Sequence, residues 1–361
     1  MLRRTFVRTG EPAPGTAFAG PLRWGAAGAD ASRGGLAVLS GPYGPPRPPD
    51  ANGVVLPEGF SSRVVARTGH RVGGVLWHPA PGDGACFPDG DGWVYVSNSE
   101  IPLLGGATAI RFRPDGSVHG AYRVLSGTDL NRAGAATPWK TWLSCEETAR
   151  GQVFECDPYG VRAAMPRLAM GRFRHAGAAC DPVNRVVYLT EDEPDGCLYR
   201  FVPACWGDLT TGRLEVLCVL PDDGSTAWRR VPNPAALLEA TRHQVDAAHR
   251  FQGGGACHYS AGVCLFASGD DGRVWAYDTL RERLETVETA EAGDLMELVL
   301  AGPGRTAAPF LRVEGHPGSE ITGPALSPDG ARLYFSSQRG RRDDAAGTDG
   351  VTYEITGPFP R

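Results

Sequence analysis

The sequence predicts an all-β chain folded as a β-propeller, and three observations carry that expectation. Glycine and proline, 49 and 30 of 361 residues, together far exceed their usual share of about 12%, which favours short elements joined by turns. Five apolar runs ending in polar residues align without gaps: Val94-Tyr95-Val96-Ser97-Asn98-Ser99-Glu100, Thr141-Trp142-Leu143-Ser144-Cys145-Glu146-Glu147, Val187-Tyr188-Leu189-Thr190-Glu191-Asp192-Glu193, Cys264-Leu265-Phe266-Ala267-Ser268-Gly269-Asp270 and Leu333-Tyr334-Phe335-Ser336-Ser337-Gln338-Arg339. The copies beginning at residues 94, 141 and 187 lie about 46 residues apart, near the ~40–45 of a four-stranded blade.

In chain order, residues 1–52 read as a signal-like or disordered tail, set apart from a propeller domain over residues 53–361. Leu2-Arg3-Arg4-Thr5-Phe6-Val7-Arg8 carries the arginine pair of a twin-arginine export signal. The stretch behind it is weakly apolar and bracketed by Glu11 and Arg23. A signal that is read sends the protein to the periplasm or beyond; one that is not read leaves it cytoplasmic.

Turn signals precede the strand runs, as in Pro88-Asp89-Gly90-Asp91-Gly92, Asp181-Pro182-Val183-Asn184 and Pro328-Asp329-Gly330. A partner strand follows several of them: Ile110-Arg111-Phe112, Val153-Phe154-Glu155, Leu198-Tyr199-Arg200-Phe201 and Val274-Trp275-Ala276-Tyr277. Between the copies at 187 and 264 there is room for a blade and an insertion, predicted as a helix near residues 234–249, with Asn233 as cap and Pro234 in the first helical position. Between 264 and 333 there is room for another blade, although no central strand is visible. Five clear blades and one reduced blade predict a six-bladed propeller.

Several function classes fall away. With 36 basic against 41 acidic side chains and a net charge of −5, the chain offers no basic field to a phosphate backbone, so nucleic acid is not an expected partner. No apolar run reaches the ~18 residues that a bilayer-spanning helix needs. Nine cysteines without a C-x-x-C pair argue against a zinc knuckle or a complete disulfide framework; most are expected to be buried as small apolar side chains.

In a propeller, residues at one phase of the repeat become neighbours around the axis. Here that phase is acidic: Glu100, Glu146, Glu147, Glu191, Asp192, Glu193 and Asp270. Carboxylates crowded at one channel mouth repel one another, and bound cations relieve the repulsion. Their hard oxygen donors suit Ca²⁺, Mg²⁺, Mn²⁺ or ferric iron. Ordinary solvated loop carboxylates are the competing reading. Arg339 takes the same phase in the fifth copy, either as the contact of an anionic ligand such as phosphate or as a salt-bridge partner of the carboxylates.

Several segments resemble one family, the PhoX-type alkaline phosphatases: Asn131-Arg132-Ala133-Gly134, Thr137-Pro138-Trp139, Trp142-Leu143-Ser144-Cys145-Glu146-Glu147, Gly171-Arg172-Phe173-Arg174-His175, Val187-Tyr188-Leu189-Thr190-Glu191-Asp192, Arg273-Val274-Trp275-Ala276-Tyr277-Asp278 and Gly318-Ser319-Glu320-Ile321-Thr322-Gly323-Pro324. The resemblance runs from about residue 54 to the end. It implies an exported propeller with iron and calcium ions, hydrolysing phosphate monoesters. Carried over, it makes Glu146, Glu147, Glu191 and Asp192 metal ligands; the shared phase adds Glu100 and Asp270 to the expected ligands, and Arg339 and Glu147 are the expected catalytic residues.

Three departures bear on that chemistry. Arg132 stands where the family commonly has an iron-binding cysteine, and Ala176 and Gly254 stand where glutamates are expected. Calcium therefore remains the expected ion and iron loses its thiolate. The leading reading is a metal-dependent phosphatase acting on a phosphate ester or another anionic small molecule. The alternatives are a catalytically degenerate PhoX-like propeller that binds calcium, a ligand or a protein partner, and a calcium-dependent lactonase-like propeller hydrolase.

Overall fold

The computed structural model describes residues 6–8, 43–220, 225–269, 272–287, 297–301, 307–340 and 349–359. The predicted all-β propeller is what forms, with five sheets in the ring rather than six blades. Blade 1 comprises Pro81–Asp89, Gly92–Ser99, Gly105–Phe112 and Val118–Thr128. Blade 2 comprises Asn131–Ala136, Trp142–Glu146, Val153–Cys156 and Met165–Pro166. Blade 3 has five strands, His175–Asp181, Val186–Glu191, Leu198–Cys205, Asp208–Val219 and Thr226–Arg230. Blade 4 comprises Gly254–Ser260, Val263–Ser268, Arg273–Asp278 and Arg283–Val287. Blade 5 takes Ile321–Leu326, Arg332–Ser337 and Val351–Thr356 from the end of the chain and Ser61–Arg67 from its beginning.

All five aligned runs are second strands of blades, and the partner strands are third strands. Each run opens on three buried or half-buried positions, apolar in all but Thr141, because a blade is covered on both faces, and successive side chains alternate between them. Tyr95 packs with Trp77 and Tyr334, while its neighbours Val94 and Val96 pack with Trp142 and Cys156 of blade 2. Leu143 of blade 2 and Val187 of blade 3 share the next core, and Tyr188 of blade 3 joins Phe266 and Tyr277 of blade 4. The cores thus lie between blades, and the free cysteines Cys145, Cys156, Cys197, Cys218 and Cys264 are buried in the fold.

The missing central strand has a structural answer. Glu297–Ala301 and Ala307–Val313 pair with each other, with Val54–Val55 at one edge and Phe6–Arg8, running parallel, at the other. Phe310, Leu311 and Val313 pack with Leu333 and Phe335 of blade 5. This sheet draws half of its strands from the first 55 residues, so no repeat over residues 264–333 could reveal it. The Arg3-Arg4 pair lies outside the described residues.

The helix expected near 234–249 does not form. Only Thr241–His243 makes a short 3-10 turn. Asn233 opens a tight turn, accepting the Ala236 N–H at 3.0 Å, and Ala236 has φ of +49°, a left-handed conformation that a right-handed helix cannot continue.

Candidate functional site

Each blade's first strand runs nearest the axis, and all five share a feature absent from the aligned motifs. Near its start each carries one residue more than the second strand opposite, between Pro81 and Gly84, Asn131 and Gly134, His175 and Gly177, Gly254 and Cys257, and Thr322 and Ala325. An extra residue twists a strand and re-aims its side chains. In blade 2 this irregularity contains Arg132.

The Arg132 guanidinium is the hub of the site. Its Nη1 donates to Glu100 Oε2 at 2.9 Å, its Nη2 to Glu320 Oε1 at 2.5 Å, and its Nε lies 3.7 Å from Glu147 Oε2. The four side chains are only 15%, 11%, 17% and 7% exposed, in the order Arg132, Glu100, Glu320, Glu147. Burial opposes the charge on Arg132, but Glu320, Glu100 and Glu147 outweigh it and push the guanidinium's pKa up. Gln338 Nε2 donates to Glu100 Oε2 at 2.6 Å, and Arg339 Nη2 approaches Glu100 Oε1 at 3.5 Å.

Arg339 is held by its backbone, whose N–H donates to Ser319 Oγ at 3.0 Å. Its side chain stays 35% exposed, as does that of Arg174. Arg174 donates to the Glu147 carbonyl at 3.1 Å and pairs with Glu193 at 3.4 Å.

The sequence-predicted residues divide accordingly. Glu100, Glu147 and Arg339 meet around Arg132. Glu146 turns away: its two oxygens accept the Asp129 and Gln152 backbone N–H groups, each at 3.0 Å. Burial raises its pKa against those two bonds. Glu191 points into blade 3, where Tyr199 donates to it at 2.8 Å and Arg242 at 3.0 Å; burial raises its pKa as well, opposed by those partners. Asp192 stands beside them, its backbone N–H donating to the Arg174 carbonyl at 2.9 Å. Asp270 lies outside the described residues. The residues the acidic phase missed are Glu320, Gln338 and the hub itself. Glu320 precedes a first strand and so has no counterpart in the second-strand alignment.

His175, from the Gly171–His175 block, and His316, shortly before the Gly318–Pro324 block, are both buried. His175 is fully buried against Phe173, and burial lowers its pKa to about 3. His316 Nδ1 and Ser319 Oγ both bond Ser337 Oγ, at 2.7 and 2.8 Å.

The donor set does not fit the metal cluster that the resemblance implies. Among the described residues no three His, Cys, Asp or Glu side chains are arranged to hold a metal ion. Where three carboxylates do converge, a cation with no lone pair to offer stands between them. The nearby Cys145 is buried, and burial raises its thiol pKa well above the ordinary value. Gly254 cannot be exchanged for a glutamate without rearrangement, because a Cβ there would sit 2.5 Å from the Glu191 carbonyl oxygen.

Residues 148–291 match a family model described as alkaline phosphatase PhoX. Among solved structures, PhoX of Pseudomonas fluorescens, determined in complex with vanadate, a transition state analogue, aligns over 85% of this chain and 96% of its own, with 16% identity and a TM-score of 0.66. A gluconolactonase of Xanthomonas campestris, XC5397, covers 88% of this chain and 99% of its own at 11% identity, with a TM-score of only 0.33. No curated protein sequence matches the chain. The PhoX-type resemblance thus rests on a sequence match and a shared fold, and no helix among the described residues is long and apolar enough to cross a membrane.

Proposed function

We propose that this PhoX-type propeller recognises phosphate monoesters or related small anions at the mouth of its channel, and that an arginine has taken over the place of its central cations. The observation that carries this reading is the Arg132 guanidinium bridging Glu100, Glu147 and Glu320. One positive charge relieves the repulsion among three carboxylates, which is the electrostatic task of a metal ion, but it cannot polarise a phosphoryl oxygen as a Lewis acid or activate a bound water.

In this reading Arg339 is the anion contact. Its backbone is pinned by Ser319, its carboxylate contact among the described residues, with Glu100, is long, and its partly exposed guanidinium keeps donors for a planar, bidentate contact with a phosphoryl group. Glu147 holds Arg132 in place and touches no substrate. Calcium and iron have no part in it, since Arg132 stands among the carboxylates that would ligate them. Export through the Arg3-Arg4 segment belongs to the same reading, because an extracellular compartment is where scavenged phosphate esters are met.

The test is metal analysis of protein purified without chelator, with p-nitrophenyl phosphate turnover and vanadate binding measured on the same sample and on the Glu147→Ala and Arg339→Gln variants. The expected result is no stoichiometric iron or calcium, no turnover above background, and vanadate binding that weakens in Arg339→Gln. Iron with calcium, and turnover lost in Glu147→Ala, would overturn it in favour of a metal-dependent phosphatase.

A further inference from the structure

Away from the Arg132 cluster, a cavity of about 160 Å³ opens beneath the segment 236–242, against the Ala149-Arg150 turn and the Arg172-Phe173 segment that leads into blade 3. Three guanidinium groups line it, and they are not equivalent. Arg242 is committed, with Nη1 3.0 Å from Glu191 and Nε 2.9 Å from Asp195. Arg172 donates its Nε to the Arg150 carbonyl at 3.3 Å, and among the described residues neither Arg172 nor Arg150 has a carboxylate within ion-pair distance.

Two of the three acids nearby are otherwise engaged, and the third, Glu239, is exposed to solvent, which screens its charge. Glu146, which feels the charge of Arg172, gives both oxygens to backbone N–H groups. Glu191, on the cavity wall, is wholly buried and bonded to Tyr199 and Arg242. Glu239 also lines the cavity. The lip is apolar: Leu237 and Leu238 are 66% and 99% exposed, two consecutive leucines left open to solvent among the described residues.

We propose that this cavity binds a small organic carboxylate, its head between Arg150 and Arg172 and its tail along Leu237 and Leu238. Two guanidinium groups with no carboxylate at ion-pair distance among the described residues satisfy a planar carboxylate. The volume, roughly five waters at ~30 Å³ each, admits a head group and a few carbons, and leaves the remaining methylenes to the leucine lip. The site is independent of the Arg339 reading and shares no side chain with it.

Titration calorimetry on the full chain with acetate, hexanoate and inorganic phosphate tests this. Hexanoate is expected to bind more tightly than acetate, by about fourfold for each methylene that reaches the leucines. Arg150→Gln and Arg172→Gln should each weaken hexanoate by about tenfold or more, and Leu238→Ser should weaken hexanoate but not acetate. Arg339→Gln should change none of these, which separates a failure here from a failure of the channel-mouth reading. Matching melting temperatures will verify that the exposed-site variants are folded. No hexanoate binding, phosphate binding without hexanoate binding, or hexanoate affinity unchanged in both arginine variants would overturn the proposal.

Discussion

Arg132 and Glu320 are 188 residues apart in sequence, yet their side chains meet at 2.5 Å, joining blade 2 to the start of blade 5 over the blade between them. Glu100, from that intervening blade, completes the bridge. Arg132 therefore ties three blades together at this end, and its removal has a predictable consequence.

Arg132→Met should lower stability by about 3–5 kcal/mol at neutral pH, because it leaves buried carboxylates without their counter-charge. Millimolar Ca²⁺ should restore part of the loss in the variant while leaving the parent unchanged, since three freed carboxylates offer hard oxygen ligands. Urea unfolding with and without Ca²⁺ measures both effects; a variant as stable as the parent would remove the hub from the account.

Gly254→Ala should cost about 1–3 kcal/mol or more, as its Cβ would lie 2.5 Å from the Glu191 carbonyl oxygen and 3.0 Å from the Glu191 nitrogen. Gly120→Ala is the matched control, because nothing lies within 4 Å of a Cβ there. Equal melting temperatures for the two variants would contradict the close approach of blade 4 to blade 3.

Acid should destabilise the fold from about pH 6.5 downward. His78 and His175 are fully buried, and burial lowers each pKa from 6.5 to about 3. A neutral folded histidine against a protonated unfolded one means that stability is fully present above pH 6.5 and is lost as pH falls toward 3. The slope is up to about 1.4 kcal/mol per pH unit for each histidine. Unfolding free energies measured from pH 7 to 4 should fall accordingly, and His175→Gln should flatten the slope even if it lowers the whole curve.

Tyr199→Phe should cost about 1–3 kcal/mol. It removes the 2.8 Å bond to Glu191, a wholly buried carboxyl that burial already disfavours in its charged form. The variant should lose more stability at pH 8 than at pH 5, because the penalty falls on the ionised acid. A pH-independent loss would mean that Tyr199 contributes packing alone.

Alkylation of the native protein should label Cys205 first, as it is the exposed one among nine free cysteines. Burial holds the thiols of Cys145 and Cys264 well above their ordinary pKa and raises those of Cys156, Cys180 and Cys197 to about 12. Mass spectrometry after a short iodoacetamide pulse checks the order, with all nine labelled once the chain is denatured.

The propeller was legible because its signal is local and repeated. Val94-Tyr95-Val96, Val187-Tyr188-Leu189 and Leu333-Tyr334-Phe335 each fill two inter-blade cores, so each must be apolar at three adjacent positions, and burial writes that pattern into every copy. The turns were legible for the same reason. The blade count was not: the sheet beside blade 5 unites strands near residues 6, 54, 299 and 310, and pairing between distant segments leaves no periodic trace.

At the site, the second-strand phase contains Glu100 and Glu147, which both meet Arg132, but could not separate them from Glu146 and Glu191. Adjacent residues on a strand end point to opposite faces, and here one face meets Arg132 while the other serves backbone N–H groups or a blade interior. The residue types alone determined that this chain is a propeller with an acidic end and an arginine where the family resemblance anticipates a metal-binding thiolate. Only the tertiary structure decided that Arg132 neutralises those acids, because a guanidinium's partners depend on which blades the ring closure brings within 4 Å, and electrostatic pairing at that distance has no record in the order of the sequence.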